Sequence, residues 1–222
     1  MQRQVLTVAI ELTKIPFIGA NSRNYTAGRS GKKIEYIVIH YTAGTNDTAR
    51  ANAKYFQSFR EASAHYFVDS KEIIQTVKDE NAAWHCGTQW GYKHPKCRNV
   101  NSVGIEICTL KDGKGNYSFA PAAVRRAAEL TAALMKKYGI PIGNVIRHYD
   151  VTGKVCPAPM VNDKNQWKAF LKLCEDFSEM STEDYIGIVQ RRVARPFEKQ
   201  TIEYLNKYKY SSELWKRLAE ME

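Results

Sequence analysis

Residues 35–41 read "EYIVIHY". From Tyr36 to Ile39 the run is apolar, β-branched in its centre and without alternation, the pattern of a strand covered on both faces. "TAGTNDT" (42–48) then makes a turn, with Thr45 and Asp47 as candidates to cap a helix. Ala49, Ala53 and Phe56 recur at helical spacing to about Phe59. A doubly covered strand running into a helix is the unit from which α/β sheets are assembled.

The flanking segments extend that unit. "HYFVDSKEIIQTV" (65–77) reads as two short strands turning at Asp69-Ser70. In "SVGIEIC" (102–108) alternation sets Ile105 and Ile107 on one face and Glu106 on the other. A long helix is expected from Pro121, with Val124, Ala127, Ala128, Thr131, Leu134, Met135 and Tyr138 facing inward and Gly139-Ile-Pro141 ending it. "NVIRHY" (144–149) suits a short strand and 165–174 a helix. The expected class is α/β: a central mixed β-sheet flanked by helices on both faces. Residues 80–101 hold Trp84, His85, Trp90, Tyr92 and His94 without periodicity, as a binding loop or a capped core edge does.

Residues 176–222 read as a separate small module, with helices expected over 182–193, 196–208 and 212–221. Leu214, Trp215, Leu218 and Met221 share one apolar face there. So short a stretch buries little alone, which leaves docking or self-association as its expected use.

Charge separates the two parts. The chain carries a net +10, but residues 176–222 are net −1, so the basic character belongs to residues 1–175. That field favours polyanionic surroundings without choosing among them. At 44% hydrophobic and 25% charged residues the chain is ordinary for a globular protein, not for a disordered one. No apolar run approaches the roughly 18 residues that span a bilayer. Glu11 and Lys14 interrupt the apolar patch of the first twenty residues, so no secretory leader is expected and synthesis is placed in the cytosol. Five cysteines without paired spacing are then expected as thiols, with a Cys86–Cys97 bridge left open.

The densest chemistry lies in "RHYDVTGKVCPAP" (147–159), read as a loop after a strand, with His148, Asp150, Lys154 and Cys156 close together. His40 ends the 35–41 strand, and polar groups at strand ends converge on a crevice in α/β sheets. Two imidazoles and a thiolate form a normal three-ligand set for catalytic zinc, with the fourth position left for water. Spacing alone leaves the blander readings open: a satisfied strand-end histidine, a buried apolar cysteine.

Five motifs occur in one order: "YIVIHYTAG" (36–44), "SAHYFVD" (63–69), "AAWHCG" (82–87), "NSVGIEIC" (101–108) and 147–159. This succession resembles the zinc-dependent N-acetylmuramoyl-L-alanine amidases of the type 2 amidase family, which includes phage endolysins and, more distantly, peptidoglycan recognition proteins. The resemblance covers about residues 30–170. It implies one Zn2+ held by His40, His148 and Cys156, with Glu106 as general base. It implies that Lys154 stabilises developing negative charge and that Tyr66 lines the site in a supporting role. Trp84, His85, Trp90 and Asn101 are expected to meet substrate along the glycan–peptide groove. Asp150 reads as a turn residue, and His65 and His94 stay unassigned.

The implied reaction is hydrolysis of the amide joining muramic acid to L-alanine, as an endolysin acting on the bacterial cell wall after holin-assisted release. Peptidoglycan is the expected partner, with anionic wall polymers attracted by the basic domain, and neither nucleic acid nor membrane is expected. The C-terminal helices would serve wall targeting or homodimer formation. A cytosolic amidase recycling soluble muropeptides, and a non-catalytic peptidoglycan binder, are the competing readings. A nucleic-acid-binding regulator lacks the basic tail it would need.

Overall fold

The computed structural model describes residues 10–88, 91–178 and 199–207. Strand β1 (Tyr25–Thr26) precedes β2 (Tyr36–Tyr41), helix α1 (Ala49–Tyr55), and the strands β3 (Tyr66–Val68), β4 (Ile73–Gln75) and β5 (Ala82–Ala83). After an aromatic loop come β6 (Ser102–Ile107), β7 (Leu110–Lys111), β8 (Tyr117–Ser118) and helix α2 (Pro121–Tyr138). The domain closes with β9 (Val145–Arg147), α3 (His148–Thr152), α4 (Ala158–Asn162) and α5 (Lys164–Ser178).

Five of the strands form one sheet in the order β4-β3-β6-β2-β9. β3, β6, β2 and β9 run parallel, and β4 joins antiparallel as a hairpin with β3. This is the expected mixed sheet, and β2 at its heart is buried from Tyr36 to His40. Register sets His40 beside Glu106 and Glu106 beside Phe67, so these three share a face. Ile39, Ile105 and Tyr66 are also paired and occupy the opposite face.

That opposite face carries the main core. Ile37, Ile39, Ile105 and Ile107 pack there against Ala127, Leu130 and Leu134 of α2 and Phe170 and Cys174 of α5. Pro121 opens α2, and Gly139 ends it with φ +65°, the left-handed turn that glycine takes without strain. On the other face Ala49 and Ala53 of α1 cover Phe67 and Ile74. The cap of α1 differs from expectation: the Thr48 hydroxyl accepts from the Ala51 N–H. Asp47 instead braces the turn, taking bonds from Thr42, Asn52 and the Thr109 N–H.

The presumed loop after β9 also differs, for His148 opens a short helix. Asp150 accepts from the Arg147 N–H and pairs with its guanidinium at 2.8 Å, fixing that helix start. A second compact unit spans 179–222 and is described only through its helix Lys199–Asn206. The helices expected over 182–193 and 212–221, and the apolar face assigned to the last one, lie outside the described residues. Among the described residues no helix is long and apolar enough to cross a membrane.

Candidate metal centre

Three segments bring donors to one spot. His40 comes from β2 and is 1% exposed, while His148 comes from the first turn of α3 and Cys156 from the segment beyond it, both buried. Gly153, at φ +86°, reverses the chain after α3, and the Tyr149 N–H then bonds the Cys156 carbonyl at 2.8 Å. The reversal carries the thiol back beneath His40. One donor atom from each residue lies within 4.8 Å of the others.

The geometry fits a metal. Cys156 Sγ is 3.7 Å from His40 Nδ1. A tetrahedral centre with bonds of about 2.3 Å to sulfur and about 2.05 Å to nitrogen separates the two by about 3.6 Å. Protonation fits as well. Burial first, then the neighbouring His148, His85 and Lys154, hold His40 well below the usual imidazole value. Burial and Lys154 bring His148 down to about 3. Both rings are therefore neutral and able to ligate at neutral pH. Burial pushes the Cys156 thiol up to about 12, with the Glu106 charge adding to it, so a cation is needed to hold it as thiolate.

Glu106 completes the cluster from β6. Its Oε1 stands 3.9 Å from His40 Nδ1, and its buried Oε2 has no hydrogen-bond partner among the described residues. Desolvation pushes this carboxyl up to about 8, against the pull of Lys154. Lys154 is exposed on the α3–α4 connection, and its charge acts on His40, His148, Glu106 and Cys156 alike. The structure thus gathers five of the expected site residues: His40, His148, Cys156, Glu106 and Lys154.

Tyr66, Asn101 and Trp84 are engaged elsewhere. Tyr66 stands on the far face of the sheet, where its hydroxyl donates to Asp79 at 2.7 Å and accepts from Gln75 at 3.0 Å. It lines a cleft of about 1050 Å³ with Asp79, Lys137 and Tyr138, and none of the three metal donors borders that cleft. Asn101 is used up locally, donating to Glu35 and the Lys96 carbonyl and accepting from the Arg98 N–H. Trp84 is at the surface with its indole N–H on Thr26. Trp90 lies outside the described residues.

His85 is not at a groove surface either. It is buried behind His40, with its Nδ1 3.0 Å from His40 Nε2 and its Nε2 3.0 Å from Ser102 Oγ. Sequence reading missed that placement, although an isolated glycine inside the "SVGIEIC" strand signals a close approach at Gly104. His65 is structural: its Nδ1 accepts from the Gly104 N–H and its Nε2 meets the Asn81 carbonyl.

The fold and these residues define an α/β domain with a buried nitrogen–nitrogen–sulfur donor set able to hold a metal, flanked by a carboxylate. The sequence profile described as N-acetylmuramoyl-L-alanine amidase matches residues 30–159, a span that contains all three donors, and the chain belongs to that family. It is 36% identical over 149 residues to the N-acetylmuramoyl-L-alanine amidase CwlL of Bacillus licheniformis, covering 63% of this chain and 40% of CwlL. The chain spans about two fifths of the length of the first such curated relatives. Among solved structures, PlyL superposes with a TM-score of 0.59 at 31% identity, covering 72% of this chain and 95% of PlyL. A mutant endolysin from Bacillus subtilis gives 0.59 at 29% identity, covering 72% and 97%.

Proposed function

We propose that this chain is a zinc-dependent peptidoglycan hydrolase that cleaves the amide between N-acetylmuramic acid and L-alanine, working on the cell wall as an endolysin does. The observation that carries this is the Glu106 carboxyl, its buried Oε2 without a hydrogen-bond partner among the described residues, directly beside the His40–His148–Cys156 donor set. Zinc, when bound by these three residues, supplies a water of lowered pKa and polarises the substrate carbonyl.

The chain's own groups do the rest. In its carboxylate form Glu106 takes a proton from the attacking water and returns it to the departing L-alanine nitrogen. The Lys154 ammonium faces the negative charge that develops on the carbonyl oxygen. Burial of His40 and His148 keeps both imidazoles neutral, so neither competes as a proton source. The net charge of +10 favours a substrate clothed in anionic wall polymers.

Mass spectrometry of digested walls tests the reading. A new free amine on L-alanine, with no new reducing sugar ends and with full loss of activity in EDTA, is the expected result. New reducing ends, or activity that survives chelation, would refute it.

A further inference from the structure

We infer that His85 is the positioning residue that sets the tautomer of the metal ligand His40, through a hydrogen-bond chain anchored on the Arg98 carbonyl. This rests on the metal reading above and concerns groups that the reading does not use.

Proton directions along the chain follow from its far end. The Ser102 hydroxyl lies 2.7 Å from the Arg98 carbonyl oxygen, which can only accept, so the serine proton is committed there. Ser102 Oγ therefore accepts from His85 Nε2 at 3.0 Å. With its proton on Nε2, His85 presents a lone pair at Nδ1. His40 Nε2, 3.0 Å away, must then carry the proton. The lone pair of His40 is thereby left on Nδ1, the nitrogen that faces Cys156 and Glu106. A ligating histidine is oriented by the bond its other nitrogen makes.

The slot for His85 is built on the same strand face. Ser102, Gly104 and Glu106 alternate onto the metal side of β6. A Cβ added at Gly104 would stand 2.5 Å from His85 Cγ and 2.7 Å from its Nδ1, so only glycine lets the ring lie against this strand. From behind, the Asn99 side-chain carbonyl accepts the backbone N–H groups of His85 and Cys86 at 3.2 and 2.9 Å. Three successive inward positions of one strand thus hold the relay, admit its ring and supply the carboxylate.

The full chain, stripped of metal and labelled with 15N-histidine, should show His40 in a single tautomer protonated on Nε2. His85→Leu should mix the tautomers and weaken zinc binding, read by competition with a chromophoric chelator, by about 10- to 100-fold. His85→Asn, whose carbonyl oxygen can stand in for Nδ1, should restore most of that affinity, which a merely space-filling role would not predict. Where His85→Leu fails to fold, Ser102→Ala keeps the ring in its slot but frees Nε2, and should move both readouts in the same direction. An unchanged His40 tautomer and unchanged zinc affinity in a folded variant overturn the proposal. Wild-type protein that takes up no zinc would sink the metal reading instead, and the tautomer in metal-free protein still decides this one.

Discussion

Glu106 and His40 sit side by side on adjacent parallel strands, with the carboxylate oxygen 3.9 Å from the imidazole Nδ1. A carboxyl and an imidazole held on neighbouring strands need no loop to bring them together, and sheet hydrogen bonding maintains their spacing.

Glu106→Gln is expected to lose about 10²-fold or more in wall lysis, the scale of a single acid–base group, while zinc content stays unchanged. Stability of the EDTA-treated protein should report the same carboxyl. Its folded pKa is raised from 4.5 to about 8, so the folded state binds the proton more tightly and stability falls as pH climbs through that window. The variant escapes that loss, so its advantage in melting temperature should grow across the window and level off above it. A difference independent of pH contradicts the assignment.

Cys156→Ser should release zinc readily. A serine hydroxyl does not ionise to replace the thiolate, and two imidazoles remain. Metal analysis after passage over a chelating resin should find equimolar zinc in wild type and little in the variant. Equal retention would remove Cys156 from the ligand set.

Lys154→Met is expected to lower kcat by about 10²-fold through the lost charge at the developing oxyanion. Because Lys154 is exposed, folding and metal content should be untouched. Steady-state kinetics on a soluble muropeptide distinguish this from a change confined to KM.

Tyr66→Phe should lyse walls at close to the wild-type rate and lose about 1–3 kcal/mol of stability, the worth of a buried bond to a charged group. Tyr66 donates to Asp79 on the sheet face away from the metal donors. A hundredfold fall in activity with zinc intact would return it to the site.

Asp79 should dominate acid sensitivity on that far face. Burial alone would raise its carboxyl, but bonds from Tyr138, Tyr66 and Lys137 outweigh burial and hold it below the usual carboxylate value. A depressed folded pKa gives stability that is complete above the unfolded value and lost as pH falls through the folded one. Asp79→Asn should therefore be less stable than wild type at neutral pH, and urea titrations should show the gap closing in acid.

Much of this architecture is written locally. The apolar run of β2, the Pro121 and Gly139 limits of α2 and the turn at Asp69-Ser70 are short-range patterns, legible because nearby residues impose them. The five ordered motifs likewise carry the family and the donor set. The side to which Tyr66 points is different. Tyr66, Phe67 and Val68 are all buried, and a strand covered on both faces has no polar alternation to reveal which residue looks which way. Pairing with β6 decides it, because Glu106 aligns with Phe67 and not with Tyr66. His85 is the same kind of case. Its loop has no periodicity, and only folding against Gly104 and Ser102 sets an apparent groove residue behind His40. Chain-local forces shape strands and helices; which atoms of distant segments meet is a matter of packing, and the site's inner hydrogen bonds exist only once that packing is complete.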